Sequence, residues 1–297
     1  MDRFHEFLVF RRTVETSNVT RAAELLHVSQ PAVSRTLANL EARLGVALLR
    51  RGKRGITVTE AGQALYGQIV GLLDGLDEME TGVSARRGQL SGSIRLTSSP
   101  IIFNELVVPL LARFSESHPE VAVECLLGSE NYDLPAANID LAVRGGRPGG
   151  QELVARKIGV APIALYASDA YLARQGVPQA LEELEGHRLV GSLFERDRGF
   201  WQLESETREG VALSLPVTVH HRADDLLGSM ALMQAGQGIG LAPKYGAAKQ
   251  GLRRVLPEWR AEGPPIFVVW PATRHMPARV RALADLLIAE LPRLVRG

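Results

Sequence analysis

The sequence predicts an α/β protein in two parts: a small helical N-terminal module, joined by one long helix to a larger body of alternating strands and helices. Three observations predict it. Apolar residues recur at helical spacing through most of the first 84 residues, interrupted only by a short basic hairpin. A heptad of apolar residues follows that hairpin. Beyond Ser93 short apolar runs alternate with helical patterns, as in βαβ units, which points to a mostly parallel sheet.

The chain has 297 residues, enough for one small and one large domain. Hydrophobic residues make up 45% and charged residues 23%, so a substantial core is available. No apolar run reaches the roughly 18 to 20 residues of a membrane span, and the N-terminus lacks a basic stretch followed by an apolar one. A single cysteine, Cys125, rules out an intrachain disulfide framework and suits a reducing compartment, so the expected location is the cytoplasm. Cys125 alternates with Val121 and Val123 and is expected in the core. Through Glu60 ten Lys/Arg face six acids, a net +4 that leaves about −3 on the remainder. A basic head on a slightly acidic body suits a polyanionic partner, although four charges also suit a solvated surface.

The first helix is expected over Arg3 to Thr16, with Phe4, Phe7, Leu8 and Val14 on one face. Thr20 is placed to cap a second, Arg21 to Leu26. After a tight turn at His27-Val28, Ser29 is placed to cap a third, with Pro31 in its first turn. Val33, Leu37, Leu40 and Leu44 form its buried stripe. The other face, near the N-terminus, presents Gln30, Pro31, Ser34 and Arg35, where a recognition helix offers side chains to base edges. Gln pairs with adenine and Arg with guanine, each through two hydrogen bonds. A plain amphipathic helix with a polar face would carry similar residues.

Val46 to Leu49 and Ile56 to Val58 read as two strands of a hairpin, with Arg50, Arg51, Lys53 and Arg54 around its glycine-containing turn. Directly after a helix-turn-helix, such a hairpin is a wing suited to phosphate or minor-groove contact. Thr59-Glu60 then opens a long helix, and Leu65, Ile69, Leu72, Leu76, Met79 and Val83 make a heptad seam that predicts pairing with a second copy. Gly67, Gly71 and Gly75 each cost about 1 kcal/mol relative to alanine; their spacing predicts a close backbone neighbour, with the first helix as the candidate.

In the body, strands are expected at Ile94 to Thr97, Val121 to Leu127, Ile139 to Val143, Pro162 to Ala167, Val217 to His220, Ile239 to Ala242 and Ile266 to Trp270. Helices are expected from about Pro100 to His118, after Ser168, near Asp224-Asp225 and over Pro277 to Leu291. Thr97, Ser98 and Ser99 stand where a strand gives way to a helix, a place that favours a carboxylate or carbonyl oxygen. Arg144 ends another strand, and Asp224 opens a helix opposite. These five form the candidate effector site; the serines equally fit helix caps, Arg144 a structural ion pair and Asp224 a plain cap. Gly236-Gln237-Gly238-Ile239-Gly240 precedes a strand instead of leading from a strand into a helix, so it is not a dinucleotide fingerprint. With no phosphate loop, zinc-spaced Cys/His set or nucleophile motif in the sequence, no enzyme, cofactor or metal is expected.

The ordered run Val19-Thr20-Arg21-Ala22-Ala23-Glu24-Leu25-Leu26-His27-Val28-Ser29-Gln30-Pro31-Ala32-Val33-Ser34-Arg35, followed by Leu40-Glu41, Leu44-Gly45 and Thr57-Val58-Thr59-Glu60-Ala61-Gly62, resembles the N-terminal signature of the LysR-type transcriptional regulators. Leu49 and Val58 stand where that family often has Phe and Leu. In the body, Asp140-Leu141-Ala142-Val143-Arg144 and Ala235-Gly236-Gln237-Gly238-Ile239-Gly240-Leu241-Ala242-Pro243 are similar to family segments. The resemblance implies a winged helix-turn-helix over residues 1–60, a dimerising linker helix and hinge over 61–91, and a two-lobed effector domain, like periplasmic solute-binding proteins, over 92–297. Its lobes would be 92–160 with 266–297, and 161–265. It implies a regulator that binds operator DNA under control of a small-molecule effector, with Thr20, Ser29, Gln30, Pro31, Ser34, Arg35, Arg51, Lys53 and Arg54 on the DNA side. Homodimers, pairing further into tetramers, are the implied assembly, with RNA polymerase as a candidate further partner and no membrane. An enzyme fused to a helix-turn-helix and a ligand-independent DNA-binding protein are the alternatives.

Overall fold

The computed structural model describes residues 2–52, 55–84, 90–128, 132–149, 152–192, 199–247, 249–272 and 276–296; the side chains of 51, 52, 55 and 74–84 are outside the description. The described residues divide into two compact units, a head holding the chain up to Ser84 and a body taking most of it from Leu90 on.

The head begins with α1 (Arg3–Thr16), capped by the Asp2 carboxylate and closed by Ser17 in the left-handed region. The second helix, α2 (Val19–Leu25), starts earlier than its sequence suggests. Asn18 caps it by accepting from the Thr20 and Arg21 amides, so Thr20 lies inside the first turn and is not the cap. A positive φ at His27 makes the turn into α3 (Gln30–Leu44), which Ser29 caps. Val33, Leu37 and Leu40 of α3 are buried with Val9, Phe10, Ala23 and Leu48 in a single small core, while Leu44 is 40% exposed.

The wing is β1 (Leu49–Gly52) paired antiparallel with β2 (Gly55–Val58), Leu49 opposite Val58. The first strand therefore begins at Leu49 and not at Val46. The amides of Leu48 and Leu49 have another acceptor, Glu41 Oε1, at 2.7 and 3.0 Å, so no strand partner is needed there.

Helix α4 (Glu60–Ser84) follows, capped by Thr59, whose hydroxyl accepts from the Gly62 amide. Its own-chain face is Tyr66, Ile69 and Leu73, all buried in the head core. This divides the heptad read from the sequence: Ile69 is 2% exposed, Leu65 packs partly against the core and Leu72 is 49% exposed. Leu76, Met79 and Val83 lie among the undescribed side chains. Gly67 and Gly71 do not receive α1, and the surroundings of Gly75 lie outside the description. A Cβ added at Gly71 would meet nothing within 4 Å, and none of the atoms within 4 Å of one at Gly67 belongs to α1. The first helix packs instead on the Tyr66 side, where Tyr66 Oη lies 3.5 Å from the Glu15 carboxylate.

The body is built on one mixed sheet. β3 (Gly92–Ser98) lies between β4 (Val121–Leu127) and β5 (Leu141–Gly145), all parallel. A helical run over β3's carboxyl end comprises α5 (Pro100–Ile102), a π segment (Phe103–Val107) and α6 (Val108–Ser117). The two longest strands, β6 (Leu153–Ser168) and β13 (Trp259–Pro271), pair antiparallel, and β13 also runs antiparallel to β5. Beyond Ile163, β6 takes β11 (Ile239–Pro243) and β12 (Leu252–Arg254) as antiparallel neighbours. Between them in sequence come α7 (Asp169–Gln175), β7 (Leu189–Ser192), β8 (Phe200–Ser205), β9 (Ala212–Pro216), β10 (Val219–Ala223), α8 (Leu226–Gln234) and α9 (Lys244–Ala247). β7 pairs parallel with β10 and β11. The expectation of a mostly parallel sheet is thus corrected: its centre is an antiparallel ladder, and parallel pairs occupy both wings of the sheet.

The ladder makes the body two-lobed. One lobe holds β4-β3-β5 with the C-terminal half of β13 and the N-terminal half of β6, covered by α10 (Ala278–Arg296) and the helical run. The other holds the second half of β6 with β11, β7 and β10, around a core of Leu165, Tyr171, Trp201, Leu203 and Trp259. Register shifts between Glu262 and Pro265, and at Ile266/Phe267, mark where the ladder turns from one lobe to the other. Cys125 corrects a sequence expectation: it is exposed, because β4 ends the sheet order and one side of it lies uncovered. Among the described residues no helix is long and apolar enough to cross a membrane.

Gly62 gives a test of the head's packing. A Cβ there would meet the Leu48 carbonyl oxygen at 2.1 Å and Val58 Cγ1 at 2.8 Å. Gly→Ala inside a helix ordinarily gains about 1 kcal/mol. Here Gly62→Ala should instead destabilise by about 1–3 kcal/mol, as overpacking does, and thermal unfolding of the full chain should show a lower midpoint; an unchanged or raised midpoint would contradict the close approach.

Candidate functional site

Two sets of residues carry chemistry. The first is the outer surface of α3. Burial of Val33, Leu37 and Leu40 fixes the helix rotation and leaves Gln30, Pro31 and Arg35 exposed around its N-terminal turns, with Ser34 half-buried beside the wing. Ser29 Oγ accepts from the Ala32 amide at 3.4 Å, so Ser29 is a cap before it is anything else. Thr20 is exposed in the first turn of α2. In the wing, Arg50 is exposed, Arg51 lies in β1 with its side chain undescribed, and Lys53 and Arg54 fall outside the described residues.

Buried and half-buried charges lock this surface in place. Glu6 of α1, 3% exposed, receives Nε and Nη2 of Arg43 on one carboxylate oxygen at 3.0 and 2.6 Å. The Arg43 guanidinium also lies 5.8 Å from the Phe7 ring centroid. Thus α1 grips the C-terminal end of α3. Glu41, one residue past the end of the apolar stripe, takes the two amides at the root of the wing. Glu6, Arg43 and Glu41 are not singled out by the sequence reading; the only available signal was an acid, Glu6, on the apolar face of α1.

The second set lies at the carboxyl ends of β3, β4 and β5. Arg144 Nη2 donates to Thr97 Oγ1 at 2.7 Å, and Nη1 to the Gly128 carbonyl at 2.8 Å. Its guanidinium is 5.6 Å from the Tyr132 ring centroid. Burial pushes the Arg144 guanidinium below its usual value, with Tyr132 opposing. No carboxylate pairs with Arg144 among the described residues, so it is not part of a structural ion pair there. A half-buried cation is thereby held by a carbonyl, a hydroxyl and a ring face at the carboxyl ends of the strands.

The other candidates divide. Thr97 is fully buried; its hydroxyl donates to the Leu126 carbonyl and accepts from Arg144. Ser98 is fully buried too, its hydroxyl spent on the Val143 carbonyl at 2.9 Å. Both hydroxyls are thus engaged by carbonyls of the neighbouring strands, Thr97 by β4 and Ser98 by β5. Ser99 is half-buried and makes no capping bond. Asp224 is exposed; the cap of α8 is Asp225, whose carboxylate accepts from the Gly228 amide at 2.8 Å. Tyr132 and the Gly128 carbonyl were missed by the sequence reading because they lie in a loop, where no periodicity marks them.

The Glu6–Arg43 pair predicts a double-mutant cycle. Arg43→Met strands a buried carboxylate and should cost roughly 1–3 kcal/mol. Glu6→Met combined with Arg43→Met should recover most of that loss, read by thermal unfolding; equal losses in the single and double variants would show that the pair does not lock the helices.

Comparison with known proteins places both sets in context. Residues 4–63 match the family model described as bacterial regulatory helix-turn-helix protein, lysR family, and residues 87–292 match the LysR substrate binding domain. A regulator of Haemophilus influenzae described as an uncharacterized HTH-type transcriptional regulator is 32% identical over 291 residues, covering 96% of this chain and 99% of its own. The HTH-type transcriptional regulator PtxR of Pseudomonas aeruginosa is 31% identical, covering 96% of this chain and 91% of its own. Among solved structures, CrgA, a LysR-type transcriptional regulator from Neisseria meningitidis, superposes with a TM-score of 0.60 at 26% identity, covering 98% of this chain and 99% of that one. The Vibrio cholerae virulence activator AphB gives 0.57 at 26% identity, covering 97% and 99%.

Proposed function

This chain belongs to the LysR family of DNA-binding transcriptional regulators, and from that premise we propose which of its residues meet DNA and what kind of effector it senses. Gln30, Pro31, Ser34 and Arg35 of α3 enter the major groove, and Thr20, Ser29 and the wing residues Arg51, Lys53 and Arg54 meet the flanking backbone or minor groove. The observation that carries this reading is the rotation of α3: its buried stripe leaves a glutamine, a proline ring and an arginine exposed together at the N-terminal end. In this reading the winged helix-turn-helix is residues 1–60, the linker helix and hinge 61–91 and the effector domain 92–297. Leu72, exposed on α4 beside the buried Ile69, is available to a second copy, which supports a homodimer. Tetramer formation, contact with RNA polymerase and a cytoplasmic location follow the family resemblance.

The effector is a small anion, a carboxylate first of all. Among the described residues Arg144 has no acidic partner, and Ser99, the residue after β3's end, makes no side-chain capping bond. Thr97 and Ser98 support that site from within the sheet, and Asp224 has no part in it.

Two experiments check these assignments. Gln30→Ala and Arg35→Ala should each cost about 1–3 kcal/mol at one operator position in footprinting on the DNA flanking its own gene; operator affinity and sequence preference unchanged in both would mean that α3 does not read bases. For the effector, a thermal-shift screen with carboxylate metabolites should find a stabiliser worth about 2.7 kcal/mol at a hundred times its dissociation constant. Arg144→Met should abolish that stabilisation, and a shift that survives the substitution would place the anion elsewhere.

A further inference from the structure

We propose that Glu41 is the positioning residue of the wing: it sets the hairpin against the recognition helix so that base reading and phosphate contact occur in one docking event. The claim rests on the reading of the wing as a DNA contact.

The geometry is local and complete. Gly45, in the left-handed region, ends α3. Four residues later the wing begins. Between them the amides of Leu48 and Leu49 reach one acceptor, Glu41 Oε1, at 2.7 and 3.0 Å. On the other side, the Leu48 carbonyl accepts from the Thr59 amide at 2.9 Å and the Ala47 carbonyl from the Thr59 hydroxyl at 2.7 Å. The Leu48 side chain is 1% exposed in the head core. The root of the wing is therefore held from α3 by one carboxylate and from the start of α4 by one threonine. Glu41 and Ser34, Leu37 and Ala38 of α3 also line, with Leu49 and Ile56 of the wing, the shallow cleft between the two DNA-facing elements.

An acid beside a DNA-binding surface repels phosphate, so its charge alone argues against its presence. Its two amide bonds supply the reason for it: without an acceptor there, two backbone donors are left unpaired, at a cost that opening the hairpin root toward water relieves. The wing would then lose its fixed distance from α3, while the helix and its exposed residues remain. Glutamine offers the same two-lone-pair oxygen without the charge; methionine has similar length and helix propensity but only a weak sulfur acceptor.

The test uses the full chain and a mixed-sequence DNA duplex, and reads the slope of log affinity against log salt. Each lost phosphate contact lowers that slope by about 0.9. Glu41→Met should lower it by about one to two, to the level of a Lys53→Ala/Arg54→Ala wing control, whereas Glu41→Gln should keep the wild-type slope. If the wing control loses slope and Glu41→Met does not, Glu41 does not position the wing. If Glu41→Gln falls with Glu41→Met, the charge matters and not the acceptor, which overturns the proposal as well. If neither Glu41→Met nor the wing control changes the slope, the wing does not touch DNA and both readings fall. Should Glu41→Met not fold, hydrogen exchange in the wild type and Glu41→Gln decides: slow exchange at the Leu48 and Leu49 amides is expected in both, and fast exchange there in either protein overturns the claim.

Discussion

Burial of one stripe, Val33, Leu37 and Leu40 of the third helix, fixes what the head presents to its surroundings. These side chains meet Val9, Phe10, Ala23 and Leu48, so the helix has a single rotation in which its apolar face is dry. Gln30, Pro31 and Arg35 then point outward as a consequence, and the Ser29 cap fixes where the helix begins. The charged locks refine this placement. Glu6 holds the far end of the helix through Arg43, and Glu41 ties the wing to it. A polar group buried or half-buried beside a small core is tolerated because its donors and acceptors are matched.

The body depends on a different device. β6 and β13 each belong to both lobes, so the lobes are joined by continuous strands and not by loops. The shift in register at Glu262–Pro265 lets the paired strands leave one sheet direction for the other without breaking the ladder. The parallel strands β3, β4 and β5 end on one side of it, which gathers Arg144, the Gly128 carbonyl and Ser99 from distant parts of the sequence. A ligand that engages Arg144 and favours one arrangement of the lobes can bias the oligomer, and through it the spacing of the heads on DNA.

The head was largely legible in the sequence because its information is local: caps, turns and a 3.6-residue period lie within a few residues of each other. Where reading failed, a non-local acceptor intervened. The first wing strand starts late because Glu41, seven residues back, satisfies the Leu48 amide. Helix α2 starts early because Asn18, and not Thr20, faces its free amides. In the body, strand existence was legible but neighbour order was not. A strand was expected only from Pro162, yet β6 begins at Leu153 and runs through Gly159 and Pro162, its new partners β11 and β12 joining from Ile163 on. The surroundings of the strand ends were legible only in part for the same reason. The sequence reading placed Thr97, Ser98 and Arg144 at strand ends, but not that Arg144 bonds Thr97, that Ser98 bonds the Val143 carbonyl, or that Tyr132 joins from a stretch with no periodic signature.

The central claim, that an anion at Arg144 controls DNA binding by the head, is tested most directly by footprinting the full chain on the DNA flanking its own gene, with and without the carboxylate metabolite that stabilises it. The account predicts that the metabolite changes the extent or strength of the footprint, and that Arg144→Met protein gives the ligand-free footprint under both conditions. A footprint that the stabilising metabolite leaves unchanged, or that still responds in Arg144→Met protein, would contradict it.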